Sequence, residues 1–304
     1  MARVLVVTYT QSGQLEEIVT HVLAALRGQV ELVVEQLKPI PDYPFPWSGI
    51  DFYDAMPESV EMIPSKLAPF QFNTDDHYDL IILGYPIWFL SPPIPITTFL
   101  KSKEAAKVMK NTSVLTVIGC RNMWVNAQED IKRMIAGNGG KLVGNITFRD
   151  RHNNLLSVVT IIYWMGTGKK ERYLGLFPKP GVSDEDIANA AKFGAPVLEA
   201  IKSGDFNGLQ EKLIALKAVE LDPNVISTEN KGKKIFKIWS KFVLKKGKSG
   251  DPARITRLNL FKYYLLFVIF IVSPLVSLVF YLTYPLFYRR IKSKIKYYQS
   301  VSLK

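Results

Sequence analysis

The sequence predicts an α/β fold: a doubly wound sheet of five parallel strands in the order 2-1-3-4-5, followed by a C-terminal membrane helix or hairpin. Three observations predict it. Short apolar runs rich in β-branched residues alternate with stretches of helical periodicity. A hydroxyl-rich turn, TYTQSGQL (residues 8–15), follows the first run directly. Near the C-terminus, residues 263–288 run for 26 positions without a charge.

The strands are read at residues 4–8, 30–34, 80–84, 114–119 and 142–147. Helical patterns fall between most of them, at 15–27, roughly 94–109 and 124–136. A last helix is expected over 184–201, with Ser183 as N-cap and Asp184, Glu185 and Asp186 favouring its positive end. Residues 39–72 break the alternation. This Pro- and aromatic-rich stretch is too long and apolar for a simple connection, so it is expected to pack as a functional excursion. The chain thus divides into a body over 1–205, a helix and basic linker over 206–257, and an anchor over 258–304.

Charge sharpens this division. From residue 229 onward there are 17 Lys/Arg against two acids, whereas the first 228 residues hold 22 against 25. The basic character therefore belongs to the tail beside the apolar segment, which points to a lipid surface and excludes a nucleic-acid partner. Within KGKKIFKIWSKFVLKKGK, residues Ile235, Phe236, Ile238, Trp239, Phe242 and Val243 recur at helical spacing between lysines, the pattern of an interfacial helix. Residues 263–288 are long enough to cross a ~30 Å hydrocarbon core as one helix. Six basic residues flank each side, so orientation is not set by charge, and Pro274 near the middle also permits a hairpin in one leaflet. Cys120 is the only cysteine, which rules out an intrachain disulfide and fits a reducing compartment. No cluster has metal-ligand spacing.

The turn at 8–15 has neither the GxxxxGK[ST] of a nucleotide loop nor GxGxxG. Its hydroxyls, Thr8, Thr10 and Ser12, precede Gly13 at the opening of a helix. Backbone amides at a helix N-terminus together with hydroxyls wrap a phosphate monoester without a lysine. A second landmark, GYPIWF (residues 84–89), directly follows the third strand, and a third, VIGCRNMW (residues 117–124), follows the fourth. Both lie at strand carboxyl ends, where α/β sheets bind ligands.

The first turn resembles the phosphate loop of the flavodoxin-like family, roughly [ST]-x-[ST]-G-x-[ST]; Thr10, Ser12, Gly13 and Gln14 sit on it, and Leu15 replaces the closing hydroxyl. GYPIWF is similar to the G-x-P-[IV]-[WY]-[WF] of flavodoxin-like quinone reductases. The resemblance implies FMN. It would be held by Thr8, Thr10, Gln11, Ser12, Gly13 and Gln14 at the phosphate. Pro86, Ile87, Trp88 and Phe89 would lie along the ring, and Gly119, Cys120 and Asn122 at its pyrimidine side. Arg121, His152 and Tyr85 are the candidates for catalytic work. Cys120 has no neighbouring activating group and reads as a packing residue. The YPFPW excursion, the GYPIWFLSPPIPI block, IGCRNMW and the apolar tail together resemble bacterial dialkylresorcinol condensing enzymes.

That resemblance implies aromatisation of a dialkylated cyclohexane-1,3-dione, a lipid-like polyketide, on the cytoplasmic face of the bacterial inner membrane, with a ketosynthase partner. Flavodoxin-like reductases are often dimers, so a homodimer is expected too. The residues show no acyl-transfer set to match the word condensing. Three other functions remain open at this level: an NAD(P)H:quinone reductase, a tethered electron carrier, and a scaffold without cofactor.

Overall fold

Val4, Leu5, Val6 and Val7 are fully buried, a state a strand reaches only when both faces of its sheet are covered. They belong to β1 (Arg3–Thr8), flanked by β2 (Glu31–Gln36) on one side. A two-stranded ribbon follows, β3 (Pro39–Ile40) with β4 (Lys66–Leu67), and then the remaining core strands β5 (Leu80–Pro86), β6 (Ser113–Cys120) and β7 (Lys141–Arg149). The five long strands pair in parallel in the order β2-β1-β5-β6-β7, the predicted doubly wound topology. The computed structural model describes residues 1–47 and 49–303; Ser48 of the excursion and Lys304, counted among the basic residues beyond the apolar segment, lie outside them.

The helices in chain order are α1 (Gln14–Val22), α2 (Gly49–Asp54), α3 (Met56–Val60), α4 (Ile94–Leu100), α5 (Lys103–Met109), α6 (Val125–Gly137), α7 (Asn154–Thr167), α8 (Asp184–Ala188), α9 (Gly194–Ser203), α10 (Leu209–Ala215), α11 (Pro223–Leu244), α12 (Ile255–Phe267) and α13 (Ser273–Gln299). Gly84 and Gly119 let α1 approach the sheet closely: a Cβ at either would meet Val19, Thr8 or Leu15 side chains at 3.0–3.2 Å. The helix expected over 94–109 is two, because the Ser102 hydroxyl accepts from Ala105 N and restarts the chain as α5. Ser183 does cap α8, accepting from Asp186 N, but a 3₁₀ turn over Asn189–Phe193 separates α8 from α9. The spacing missed α7. Its β-branched run (Val158 to Ile162) hides a helical period; Asn153 caps it, and Gly168, in the left-handed region, ends it.

The excursion packs instead of looping. Its helices α2 and α3 carry Tyr53, Met56 and Val60 into a second apolar cluster with Val243, Leu258 and Phe261 from the C-terminal helices. The expected linker is therefore mostly helix. Phe236, Trp239 and Val243 of α11 turn toward that cluster, while Ile238 and Phe242 face outward.

Two polar joints then fix the apolar tail. At its start, fully buried Arg254 donates to both carboxylate oxygens of Glu58 (2.8 and 3.0 Å), and its Nε lies 3.2 Å from Asp54. At its end, the Lys132 ammonium on α6 donates to the carbonyls of Ser300 and Ser302, and the Tyr297 hydroxyl bonds Glu129. From Pro252 to Gln299 the chain is helical for 48 residues, broken in register by a π-turn at Val268–Val272. It is long and apolar enough to cross a membrane, and the only such helix among the described residues. Both its ends are nevertheless held by the same body.

Removing Arg254 strands two carboxylates. Arg254→Met is expected to destabilise the protein by about 3–5 kcal/mol, with Arg254→Met/Glu58→Leu recovering part of the loss. Urea denaturation of the detergent-solubilised chain measures both.

Candidate functional site

Parallel strands direct their carboxyl ends to one edge, and there the loops after β1, β5, β6 and β7 converge. The loop after β1 opens onto the N-terminus of α1. Gly13 sits at φ +82°, where an L side chain is strained, and a Cβ there would meet open space. The amides of the first turn of α1, Gln14 to Glu16, have no acceptor among the described residues. The Thr10 hydroxyl accepts from Gly13 N at 3.0 Å, and Ser12 is free to donate.

Two predicted contacts are otherwise engaged. The Gln14 amide is bonded on both sides to Val182, donating to its carbonyl and accepting from its N–H at 3.0 Å. Gln11 donates to the carbonyls of Tyr43 and Pro44 in the excursion and accepts from the Tyr9 hydroxyl. Thr8 is buried within β1. A phosphate on this loop would therefore rest on backbone amides with the hydroxyls of Thr10 and Ser12, and not on either glutamine side chain.

The loop after β5 carries more strain. Phe89 and Leu90 both adopt positive φ, 47° and 59°, in a turn closed by reciprocal bonds between Trp88 and Ser91 of 3.0 and 2.8 Å. Side chains in that region cost about 1–3 kcal/mol each unless surroundings enforce them. Here Ser59 donates to the Trp88 carbonyl, and the Lys233 ammonium of α11 donates to Leu90 O at 3.1 Å. Trp88 itself does not face the cleft. Tyr9, Tyr43 and Trp47 surround it at near-perpendicular ring angles and 4.9–5.6 Å, leaving it 6% exposed. The excursion thus uses Trp88 as its seat, and Ile87, Phe89 and Leu90 form the open wall.

Between that wall and the loop after β6 lies a largely apolar cavity of about 230 Å³, with Arg121 and Met123 on one side. Phe236 and Leu265 of α11 and α12, with Val268 and Ile269 of the π-turn, close it from above. It adjoins a polar cavity of about 400 Å³ through the shared residues Met123, Asn154, Thr228 and Ser273. The Arg121 guanidinium donates to the carbonyl and side-chain oxygen of Asn154 (3.1 and 2.7 Å), and no carboxylate among the described residues is paired with it. Burial lowers its pKa to about 10, against the attraction of Asp150, so it stays cationic at neutral pH.

The polar cavity contains His152. Its Nδ1 lies 2.7 Å from Asp150 Oδ1, and the buried Asp150 carboxylate also accepts from the Ser157 hydroxyl and the His152 amide. A carboxylate that accepts all three fixes the proton on Nδ1 and leaves Nε2 as the basic nitrogen. Asn122 donates to Asn154 and leaves its buried Oδ1 without a partner, an acceptor awaiting a donor.

Tyr85 does not belong here. It is fully buried, its hydroxyl bonds Gln128, and burial pushes its pKa well above the usual phenol value. The chain continues through Thr116 to Asn145 beneath the sheet, so Tyr85 is part of the core and is removed from the catalytic set. Cys120 is likewise buried, its thiol pushed upward by burial, and it lines neither cavity; neither does Gly119, whose surroundings are Leu15 and Ile18. Pro86 ends β5, ahead of the lining residues.

The decisive residue that sequence reasoning missed is Glu229. Its carboxylate reaches across from α11 to accept from Asn126 N (2.7 Å), Asn126 Nδ2 (3.1 Å) and Val125 N (3.3 Å), capping α6 from another helix. Lys233, one turn on, pairs with Asp130 at 3.0 Å. Nothing local marks such a cap, because donor and acceptor lie about a hundred positions apart. Burial raises the Glu229 pKa from 4.5 to about 7, with the hydrogen bonds to Asn126 and Val125 opposing the rise.

No family model and no curated protein matches the chain. Solved structures give likenesses at low identity. A flavoprotein in complex with FMN from Lactobacillus acidophilus is 17% identical over 48% of this chain and 93% of its own, with a TM-score of 0.37. A Streptococcus pneumoniae flavodoxin is 13% identical over 66% and 99%, at 0.35. An azoreductase from Bacillus anthracis is 13% identical over 63% and 100%, at 0.32. At these values function has to be argued from this chain's own residues.

Because the folded pKa of Glu229 is raised, its stabilising contribution is complete below pH 4.5 and is lost as pH rises through about 7. The full loss corresponds to about 3 kcal/mol. Denaturation curves across that window are expected to show this decline in the wild type and a flatter profile in Glu229→Gln.

Proposed function

We propose that the protein is a membrane-associated, FMN-dependent oxidoreductase that aromatises a dialkylated cyclohexane-1,3-dione. The observation that carries this reading is the two-armed cleft: an apolar arm beside an unpaired arginine, joined to a polar arm containing an oriented histidine. The donor set fits FMN. Free amides at the start of α1, with Thr10 and Ser12, suit its phosphate; the wall of Ile87, Phe89 and Leu90 and the unpartnered Asn122 Oδ1 suit the ring.

Loss of two electrons and two protons converts the dione to the resorcinol, and FMN supplies the hydride acceptor when bound. The residues of the chain do the rest. Arg121 faces the oxygen that carries negative charge in the enolate, where a fixed cation in a poorly hydrated site is most effective. His152 Nε2 takes a proton from the ring while Asp150 holds Nδ1. Phe236, Leu265 and Ile269 accept alkyl chains and keep water away. The resemblance to dialkylresorcinol enzymes supports the same substrate class.

The helix over Pro252–Gln299 supports membrane attachment by an in-plane route. A helix crossing the bilayer would leave its ends on opposite sides of a ~30 Å core. Arg254 and Tyr297 are instead bound to one body, and Phe267, Ile271, Leu275, Leu278 and Leu282 project outward between them. The helix therefore dips into one leaflet, and its π-turn roofs the apolar arm.

Two measurements test this. Detergent-purified protein is expected to carry a flavin absorbance, and Gly13→Asp, which places a carboxylate in the cradle, is expected to release it. A dialkyl cyclohexanedione added anaerobically is expected to bleach the flavin, with Arg121→Gln slowing bleaching by about 10–100-fold. Failure of the dione to bleach the flavin, with rapid bleaching by NADPH, would assign a reductase instead.

A further inference from the structure

Beyond the cleft, α11 and α13 enclose a second groove of about 600 Å³ that the proposed chemistry does not use. At one end Asn224 donates to the Ser277 hydroxyl at 3.0 Å; at the other, Ile295 and Tyr298 pack against the main core. The groove is polarised along its length. One end is walled by Ile226, Leu275, Val279 and Phe280. Toward the other, Lys231 and Lys234 of α11 and Arg290 and Lys294 of α13 line it, beside Phe287 and Ile291.

Four cations at one end of an apolar channel repel one another unless an anion joins them. No carboxylate lines the groove, and none of the four has an ion-pair partner among the described residues. The nearest acid in sequence, Glu229, is turned away onto α6. The apolar end continues into the outward face of α13, where Leu278 and Leu282 are exposed. A ligand here needs an anionic head and a hydrocarbon body in that order along the axis.

We propose that this groove binds one acidic phospholipid, its phosphate among Lys231, Lys234, Arg290 and Lys294 and its acyl chains along Leu275, Val279 and Phe280. The site is independent of the flavin reading. It places an acidic lipid where the tail rejoins the body and so ties attachment to membrane composition.

Native mass spectrometry of the full-length protein, released from vesicles of phosphatidylcholine mixed equally with phosphatidylglycerol, tests this. The wild type is expected to retain one phosphatidylglycerol. Lys231→Gln/Lys234→Gln/Arg290→Gln/Lys294→Gln is expected to bind it at least about tenfold more weakly. Its flavin spectrum should be unchanged. A control set of equal charge, Lys241→Gln/Lys245→Gln/Lys246→Gln/Lys248→Gln, is expected to keep the lipid. Equal losses in the two sets would reduce the effect to diffuse attraction and overturn the site, as would retention of phosphatidylcholine in its place. Stabilisation by glycerol phosphate as great as by phosphatidylglycerol, read as a shift in Tm, would assign a soluble phosphate and overturn the lipid.

Discussion

The clamp that α11 places across the carboxyl edge of the sheet is the interaction on which the rest depends. Glu229 supplies the hydrogen-bond acceptors that the first-turn amides of α6 call for, and Lys233 reaches the strained turn after β5 and Asp130 at once. One helical turn separates the two side chains, so a single rigid element fixes both loops that border the cleft. Without that clamp the apolar cavity has no roof, and the positive φ angles of Phe89 and Leu90 lose their support.

The same clamp carries the tail. Since α11 is held to the body, the turn after it presents Arg254 to Glu58 and Asp54, and the apolar helix begins against α2 and α3 of the excursion. The excursion is therefore a connector. Its Tyr43 and Trp47 close on Trp88 at the sheet edge, while its Tyr53 and Met56 meet Phe261 and Leu258 of the tail. Aromatic rings suit this role because each buries a large area with few rotatable bonds and tolerates edge-to-face contact on several sides. Burying an arginine between two acids is expensive unless every partner is in place, which makes the joint specific as well as strong.

Chemically, the cleft separates two tasks. Arg121 keeps its charge beside an apolar wall because Asn154 oxygens accept its hydrogen bonds without neutralising it. The His152 ring stands in the more polar arm, where Asp150 and Ser157 fix its orientation. An amphiphilic ring with acidic oxygens and alkyl arms, the substrate class proposed above, suits this partition, and the π-turn over Val268–Val272 sets the apolar arm beside the exposed apolar face of the tail.

The sequence by itself determined the sheet and its order, because five short runs rich in apolar and β-branched residues, mostly separated by helical periods, leave little choice but a parallel sheet covered on both faces over its central strands. It also marked the Gly13 turn that opens α1, the loops containing Arg121 and His152, and the apolar tail, since each is a local pattern of residue types. Tertiary structure alone decided which of those residues face the cleft. Trp88 and Gln11 were drawn into the excursion, Gln14 was tied to Val182, and Tyr85 turned beneath the sheet to Gln128. It alone joined Glu229 to Asn126 and Arg254 to Glu58, pairs separated by 103 and 196 positions. Periodicity reports the face on which a side chain lies. A buried charge is decided by the partner that arrives from elsewhere in the chain, because only a paired charge can leave water.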